Sequence, residues 1–137
     1  MMNYIDSSII IASYFPDDPH HKEGKKVMED IEKGEEGIIS IFGIAEIGGF
    51  LTRNSSPEDS EEFVTQLSRF PNLYIWYTSD FKGFMNTVAE LSITKGLSGA
   101  DAIHAVSALS ISEVEKIITL DRDFRKISDS IDVELLI

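Results

Sequence analysis

Short apolar runs alternate with longer amphipathic stretches along the chain, and the alternation predicts strand and helix in turn. Met2 to Ile5 reads as a short buried strand, and Ser7 to about Phe15 as a helix that Asp6 can cap. Pro16-Asp17-Asp18-Pro19 predicts a turn, because proline restricts the backbone and aspartate favours local hydrogen bonds. A polar amphipathic helix follows from about His20 to Lys33, with Val27 and Ile31 on its inner stripe and Gly34 at its end. Gly37 to Ser40 reads as a second strand, Phe42 to Arg53 as a helix, and Asn54-Ser55-Ser56-Pro57 as the start of another running to about Phe70. A third strand spans Asn72 to Tyr77, behind Pro71. Helices are expected from about Ser79 to Lys95 and from Gly99 to Ser112. Lys116 to Leu120 forms a fourth strand, a short helix begins after Asp121, and Val133 to Leu136 forms a fifth, edge strand. Such alternation predicts an α/β fold with a parallel sheet and helices on both faces. Ligands of these sheets sit beyond the carboxyl ends of the strands.

Composition narrows the class. A length of 137 residues with 42% hydrophobic content suits one domain, residues 1–137, with its own core. Charged residues make up 26%, near the average for folded proteins, so the chain does not read as disordered. The absence of cysteine excludes disulfides, thiolate zinc sites and a cysteine nucleophile, and fits a reducing cytoplasm, the expected location. The N-terminus has no basic region, and the run Ile9-Ile10-Ile11-Ala12 is too short for a signal peptide or a membrane span, so no membrane contact is expected. A formal net charge of -12 argues against a passive nucleic-acid binder. It argues less against a nuclease, because bound metal ions supply positive charge locally.

Four acidic positions fall where this architecture brings elements together. Asp6 follows strand one, Glu46 lies on the helix after strand two, Asp101 opens the helix before strand four, and Asp121 follows strand four. Taken singly, Asp6 and Asp121 read as helix N-caps, and Ser98-Gly99-Ala100-Asp101 fits a capping box. Glu46 sits among Ile44, Ala45, Ile47, Gly48, Gly49 and Phe50, and a carboxylate on an apolar face is costly to bury without a partner. A salt bridge to Arg53 or an exposed helix edge is the alternative for it. If the four converge, each pair about 5 Å apart repels by about 3 kcal/mol at an effective dielectric near 20. The one flanking cation is Arg122. Hard divalent cations offset such a cluster and prefer oxygen ligands, so Mg²⁺ or Mn²⁺ is expected rather than zinc. His20 and His21 read as solvent-exposed, and His104, on the face of Asp101, as a satisfied, partly buried histidine or a support for the acidic group.

These residues carry a family likeness. Tyr4-Ile5-Asp6-Ser7-Ser8 resembles the opening motif of PIN domains, and Ala45-Glu46-Ile47 their second motif. Leu97-Ser98-Gly99-Ala100-Asp101-Ala102-Ile103-His104-Ala105 resembles the third, and Ile118-Thr119-Leu120-Asp121-Arg122-Asp123-Phe124 the fourth. The likeness spans nearly the whole chain, in order. It implies a three-layer α/β/α sandwich around a parallel sheet of four to five strands. It also implies metal-dependent hydrolysis of single-stranded RNA, as in the toxins of VapBC-type toxin–antitoxin pairs, with a small antitoxin protein as partner and a homodimer as the oligomer. By that resemblance Asp6, Glu46, Asp101 and Asp121 are the catalytic and metal-binding carboxylates. Ser8 orients Asp6 or a metal-bound water, and Thr119 and Asp123 give support.

Substrate contacts are expected from Arg122 and Arg125, close to Asp121, whereas Lys22, Lys25 and Lys26 read as a solvated helix face. Trp76, Tyr74 and Tyr77 read as core and sheet residues rather than base-stacking platforms, and the Gly48-Gly49 pair fits close packing within the chain or across a dimer. The rival readings are a non-catalytic metal-binding scaffold or protein-interaction module, and a stand-alone RNA-processing nuclease. A haloacid-dehalogenase-type phosphatase requires an acid at position 8, where Ser8 stands, and a response-regulator receiver requires an acidic pair at the end of strand one.

Overall fold

The computed structural model describes all 137 residues. Its elements follow the expected alternation: β1 (Met2–Ile5), α1 (Ser7–Tyr14), α2 (His21–Glu32), β2 (Glu36–Ser40), α3 (Ile41–Asn54), α4 (Pro57–Ser68), β3 (Leu73–Trp76), α5 (Phe81–Lys95), α6 (Gly99–Leu109), β4 (Val114–Thr119), a short 3-10 helix (Arg122–Ile127) and β5 (Asp132–Leu135). Ends differ from the expectation by a few residues. Strand β4 begins at Val114 rather than Lys116, because Val114 pairs with Met2 of β1 ahead of a register shift. Helix α6 stops at Leu109, where the Ser110 N–H closes the last turn on Val106 and Ser107 and Ile111 turns inward.

The sheet has five strands in the order β3-β2-β1-β4-β5, and every pair is parallel. Starting from β1, the chain steps outward to β2 and β3, then returns past β1 to place β4 on its other side. The strand order therefore reverses between β1 and β4. An open α/β sheet leaves a crevice at that point, beyond the carboxyl ends of the two strands.

Successive strand residues point to opposite faces, and they build two cores. Tyr4, Ile38 and Ile117 face α5 and α6, packing with Phe84, Val88, Ala105 and Phe124. Ile5, Ile39 and Ile118, one position further along each strand, face the other layer with Ile9, Ile10, Ile31, Ile47 and Leu51. The result is a three-layer α/β/α sandwich. No helix is long and apolar enough to cross a membrane.

Packing settles several residues. On α2 the buried stripe is Gly24, Met28 and Ile31, with Val27 at its edge. Gly48 is packed within the chain: Ser60 Oγ of α4 donates to its carbonyl at 2.7 Å, and a Cβ there would lie 3.7 Å from Ser60 and Val64. Trp76 packs on Phe84 (ring centroids 5.6 Å apart), in keeping with a sheet residue. Tyr77 departs from the expectation: it lies past the end of β3 and is 72% exposed, and Tyr74 is also exposed, because β3 is an edge strand with one uncovered flank. His20 and His21 are partly buried rather than solvent-exposed. The turn before α2 folds them back, and His21 Nδ1 lies 2.9 Å from the Ala12 carbonyl.

Candidate metal centre

Asp6 is the first residue after β1 and is 4% exposed. It occupies the N-cap position of α1, yet its side chain accepts no capping bond. The carboxylate is held from the neighbouring strand and the first turn instead: Oδ2 accepts from Ser8 Oγ at 2.6 Å and from Thr119 Oγ1 at 2.7 Å. Oδ1 accepts no hydrogen bond and lies 3.6 Å from His104 Nε2. Thr119, at the end of β4, is fully buried, and it also accepts the N–H of Asp121 at 2.9 Å. Ser8 Oγ in turn accepts the Leu120 N–H at 3.2 Å. The two strand ends that flank the crevice are tied together through Asp6.

The capping alternative holds for Asp121, and at the start of α6 the capping side chain is that of Ser98. Asp121 Oδ1 accepts the Asp123 N–H at 2.9 Å at the start of the 3-10 helix, and Ser98 Oγ accepts the Asp101 N–H at 3.2 Å at the start of α6. Capping does not exhaust them. Asp101, Asp121 and Asp123 each offer a carboxylate oxygen, and these oxygens lie within 4.8 Å of one another. Burial, the Asp121 charge and a shared hydrogen bond with Asp121, then the Asp6 charge, push the Asp101 carboxyl up to about 7. Lys126 reaches Asp123 at 3.7 Å and no lysine or arginine reaches the other two aspartates, so their mutual repulsion is of the kind a bound cation relieves.

Glu46 does not pair with Arg53. It points across the carboxyl edge of the sheet to α6, where its Oε1 meets His104 Nε2, and Ser7 Oγ donates to the same oxygen at 3.3 Å. Oε2 accepts no hydrogen bond, and the side chain is 37% exposed. His104 is 1% exposed, with Nδ1 2.6 Å from the Tyr4 hydroxyl. Burial opposes a charge on His104, but the Glu46 contact and the charges of Asp6, Glu46 and Asp101 together raise its pKa. Burial likewise raises that of Tyr4.

The structure thus brings the four expected acids to one crevice in two linked groups, Asp6 with Glu46 through His104, and Asp101 with Asp121 beside Asp6. Asp123 joins the second group as a further oxygen donor. Arg122 and Arg125 are exposed on the 3-10 helix that follows Asp121. A cavity of about 660 Å³ opens next to Asp121, lined by Ser8, His20, Leu120, Asp121, Arg122 and Ile137. Ser7, Tyr4 and the His104 link were not assigned from sequence. The one signal for the link was His104 standing a helical turn after Asp101.

An open parallel sheet with oxygen donors gathered at its switch point defines an α/β protein with a candidate carboxylate metal centre. The profile of the PIN domain matches residues 4–130, and the chain belongs to that family. The fold is shared with VapC20 of Mycobacterium tuberculosis, a sarcin-ricin loop cleaving toxin, at a TM-score of 0.76 and 15% identity, covering 96% of this chain and 98% of that one. VapBC2 of Rickettsia felis, solved bound to a DNA fragment from their promoter, aligns at a TM-score of 0.71 and 16% identity over 100% of both chains. VapBC-1 of nontypeable Haemophilus influenzae aligns at 0.69 and 19% identity, covering 98% of each. No curated protein sequence matches the chain significantly.

Proposed function

We propose that this PIN-domain protein is a Mg²⁺- or Mn²⁺-dependent endoribonuclease acting on single-stranded RNA, and the toxin of a VapBC-type pair. The observation that carries the reading is the crevice between β1 and β4, where Asp6, Glu46, Asp101 and Asp121 meet with no lysine or arginine paired to them. The donor set fits a hard divalent cation: it is all carboxylate oxygen, and the one histidine present has both ring nitrogens engaged. Asp6 through Oδ1, Asp101 and Asp121 would hold the ion, with Glu46 Oε2 beside it and Asp123 in support. When bound, the ion supplies Lewis acidity, lowering the pKa of water and offsetting charge on the phosphate.

The chain's own part is to hold these oxygens in place. Ser8 and Thr119 fix Asp6 by one oxygen and leave the other free. Glu46, fixed the same way, orients the attacking water by its free oxygen and takes its proton as the new P–O bond forms and the ester bond breaks. Arg122 and Arg125 contact the RNA backbone from the exposed side.

Likeness to the toxin VapC20 and to VapBC complexes supports an antitoxin partner, and a small DNA-binding protein encoded immediately upstream would be that partner. A homodimer in the cytoplasm completes the reading. The test is incubation of the purified protein with labelled single-stranded RNA and Mn²⁺ or Mg²⁺, then with EDTA, with Asp6→Asn as the control for contaminating nuclease. Cleavage that needs metal and is lost in Asp6→Asn is expected. A folded protein that binds Mn²⁺ by calorimetry without cleaving any RNA would turn the reading to a binding scaffold.

A further inference from the structure

We propose that Tyr4 and His104 are positioning residues for Glu46: together they hold the imidazole so that its Nε2 proton pins one oxygen of Glu46 and leaves the other for the reaction. The inference rests on the ribonuclease reading for its catalytic consequence and on geometry alone for the hydrogen-bond direction.

The direction follows from the partners of one hydroxyl. The Ser40 N–H donates to the Tyr4 oxygen at 3.1 Å, and an amide nitrogen has no other role to play. The Tyr4 proton must find an acceptor elsewhere, and His104 Nδ1 is 2.6 Å away. Ser107, also near the phenol, donates to the Ile103 carbonyl at 2.7 Å and so gives Tyr4 no proton, and His104 Nδ1 is the acceptor with hydrogen-bond geometry to the phenol. Tyr4 and His104 are 0% and 1% exposed, so water does not compete. Nδ1 therefore accepts, and Nε2 carries the ring's proton toward Glu46 Oε1. The bond made by one ring nitrogen sets the state of the other.

The ring is also held by shape. It stands edge-on to Tyr4, with centroids 5.6 Å apart and planes at 65°. A Cβ added to Gly43 would lie 2.7 Å from the Ile39 side chain and 2.8 Å from His104 Cε1, so the backbone of α3 comes up against both the imidazole and this core residue. Elements from three parts of the chain thus converge on one ring. Its effect is to stop a partly exposed glutamate from rotating away.

The experiment measures kcat and KM on labelled single-stranded RNA at saturating Mn²⁺ for the wild type, Tyr4→Phe, Gly43→Ala, His104→Gln and His104→Asn. A long-range ¹H–¹⁵N spectrum locates the His104 ring proton. Glutamine places its amide donor where Nε2 stands, and asparagine where Nδ1 stands. Supports of this kind are worth about 10–100-fold in activity. Tyr4→Phe, Gly43→Ala and His104→Asn are expected to lower kcat by about that factor with KM little changed, and His104→Gln to restore most of it. In Gly43→Ala helix propensity improves, and its urea unfolding curve separates a displaced imidazole from a disturbed Ile39: a lower kcat at wild-type stability is expected. In the wild type, at a pH where the ring carries a single proton, that proton is expected on Nε2 with Nδ1 bare. A single proton found on Nδ1 instead, or wild-type kcat in Tyr4→Phe and Gly43→Ala, would overturn the proposal. So would a His104→Gln variant that unfolds like the wild type yet is as inactive as His104→Asn. If the wild type itself does not cleave RNA, the ribonuclease reading fails, and the position of the ring proton still decides the positioning.

Discussion

Thr119 shows how much one buried hydroxyl decides here. It donates to Asp6 at 2.7 Å and accepts the Asp121 N–H at 2.9 Å, joining the two acidic strand ends. Thr119→Val keeps the volume and removes both bonds, leaving a carboxylate oxygen and an amide short of a partner. A loss of about 1–3 kcal/mol is expected in urea unfolding. Thr119→Ser, which keeps the hydroxyl, should recover most of it, and equal losses in both would mean that the methyl group matters instead. Asp101 gives a pH dependence. Its folded carboxyl titrates near 7, raised from 3.8 chiefly by burial and then by Asp121, so the folded state binds more protons than the unfolded between those values. Its contribution to the metal-free protein therefore falls as pH rises from about 4 to about 7 and is flat above. Asp101→Asn should flatten that slope in denaturation curves taken across this range. Saturating Mn²⁺ should flatten it too, because a cation favours the ionised form. The position of Asp101 at a helix start was legible in the sequence. Its raised pKa was not, because it depends on how close Asp121 and Asp6 come.

At the scale of elements, the α1–α2 crossing is set by Gly24. A Cβ there would lie 2.6 Å from the Ile9 carbonyl and 2.9 Å from the Ser13 amide, both backbone atoms that cannot swing aside. Helix propensity alone makes Gly24→Ala favourable by about 1 kcal/mol. The crossing reverses the sign, and a net loss of about 1–3 kcal/mol is expected in urea denaturation. A stabilised variant would show that the two helices separate readily. The N-cap of α6 makes the complementary case: Ser98→Ala removes the acceptor for the Asp101 N–H and should cost about 1 kcal/mol. Hydrophobic period and caps made these helices legible, since both are written in residues within a turn or two of each other. The ends of α6 and β4 were less so. Where a strand starts depends on which neighbour offers it a partner, and Val114 is paired by Met2 from the far end of the chain.

For the whole molecule, the proposed metal binding bears on stability as well as on activity, given the formal charge of -12 and the acidic crevice. A ligand that binds only the folded state stabilises it by about 2.7 kcal/mol at one hundred times its dissociation constant. Mn²⁺ is therefore expected to raise the melting temperature, EDTA to reverse the rise, and Asp6→Asn to abolish most of it. Calorimetric scans of the two proteins with and without Mn²⁺ check this. An equal rise in both would place the ion outside the crevice. RNA association should be weak in EDTA, because nothing then offsets the repulsion between the phosphates and this surface.

Residue order alone sets the alternation of strand and helix, the placing of Asp6, Asp101 and Asp121 at element ends, and the lack of thiolate donors. Each of these is a property of composition or of residues a few positions apart. The tertiary structure alone decided that β4 returns to the far side of β1, which turns two separate strand ends into one crevice. It also decided that Glu46 meets His104 rather than Arg53, a partner 58 residues away rather than seven, and that His104 meets Tyr4 across 100. The physical reason is that a buried polar group takes its partner from whatever element packs beside it. That neighbour is chosen by the burial of two whole apolar faces of the sheet, which no local spacing encodes.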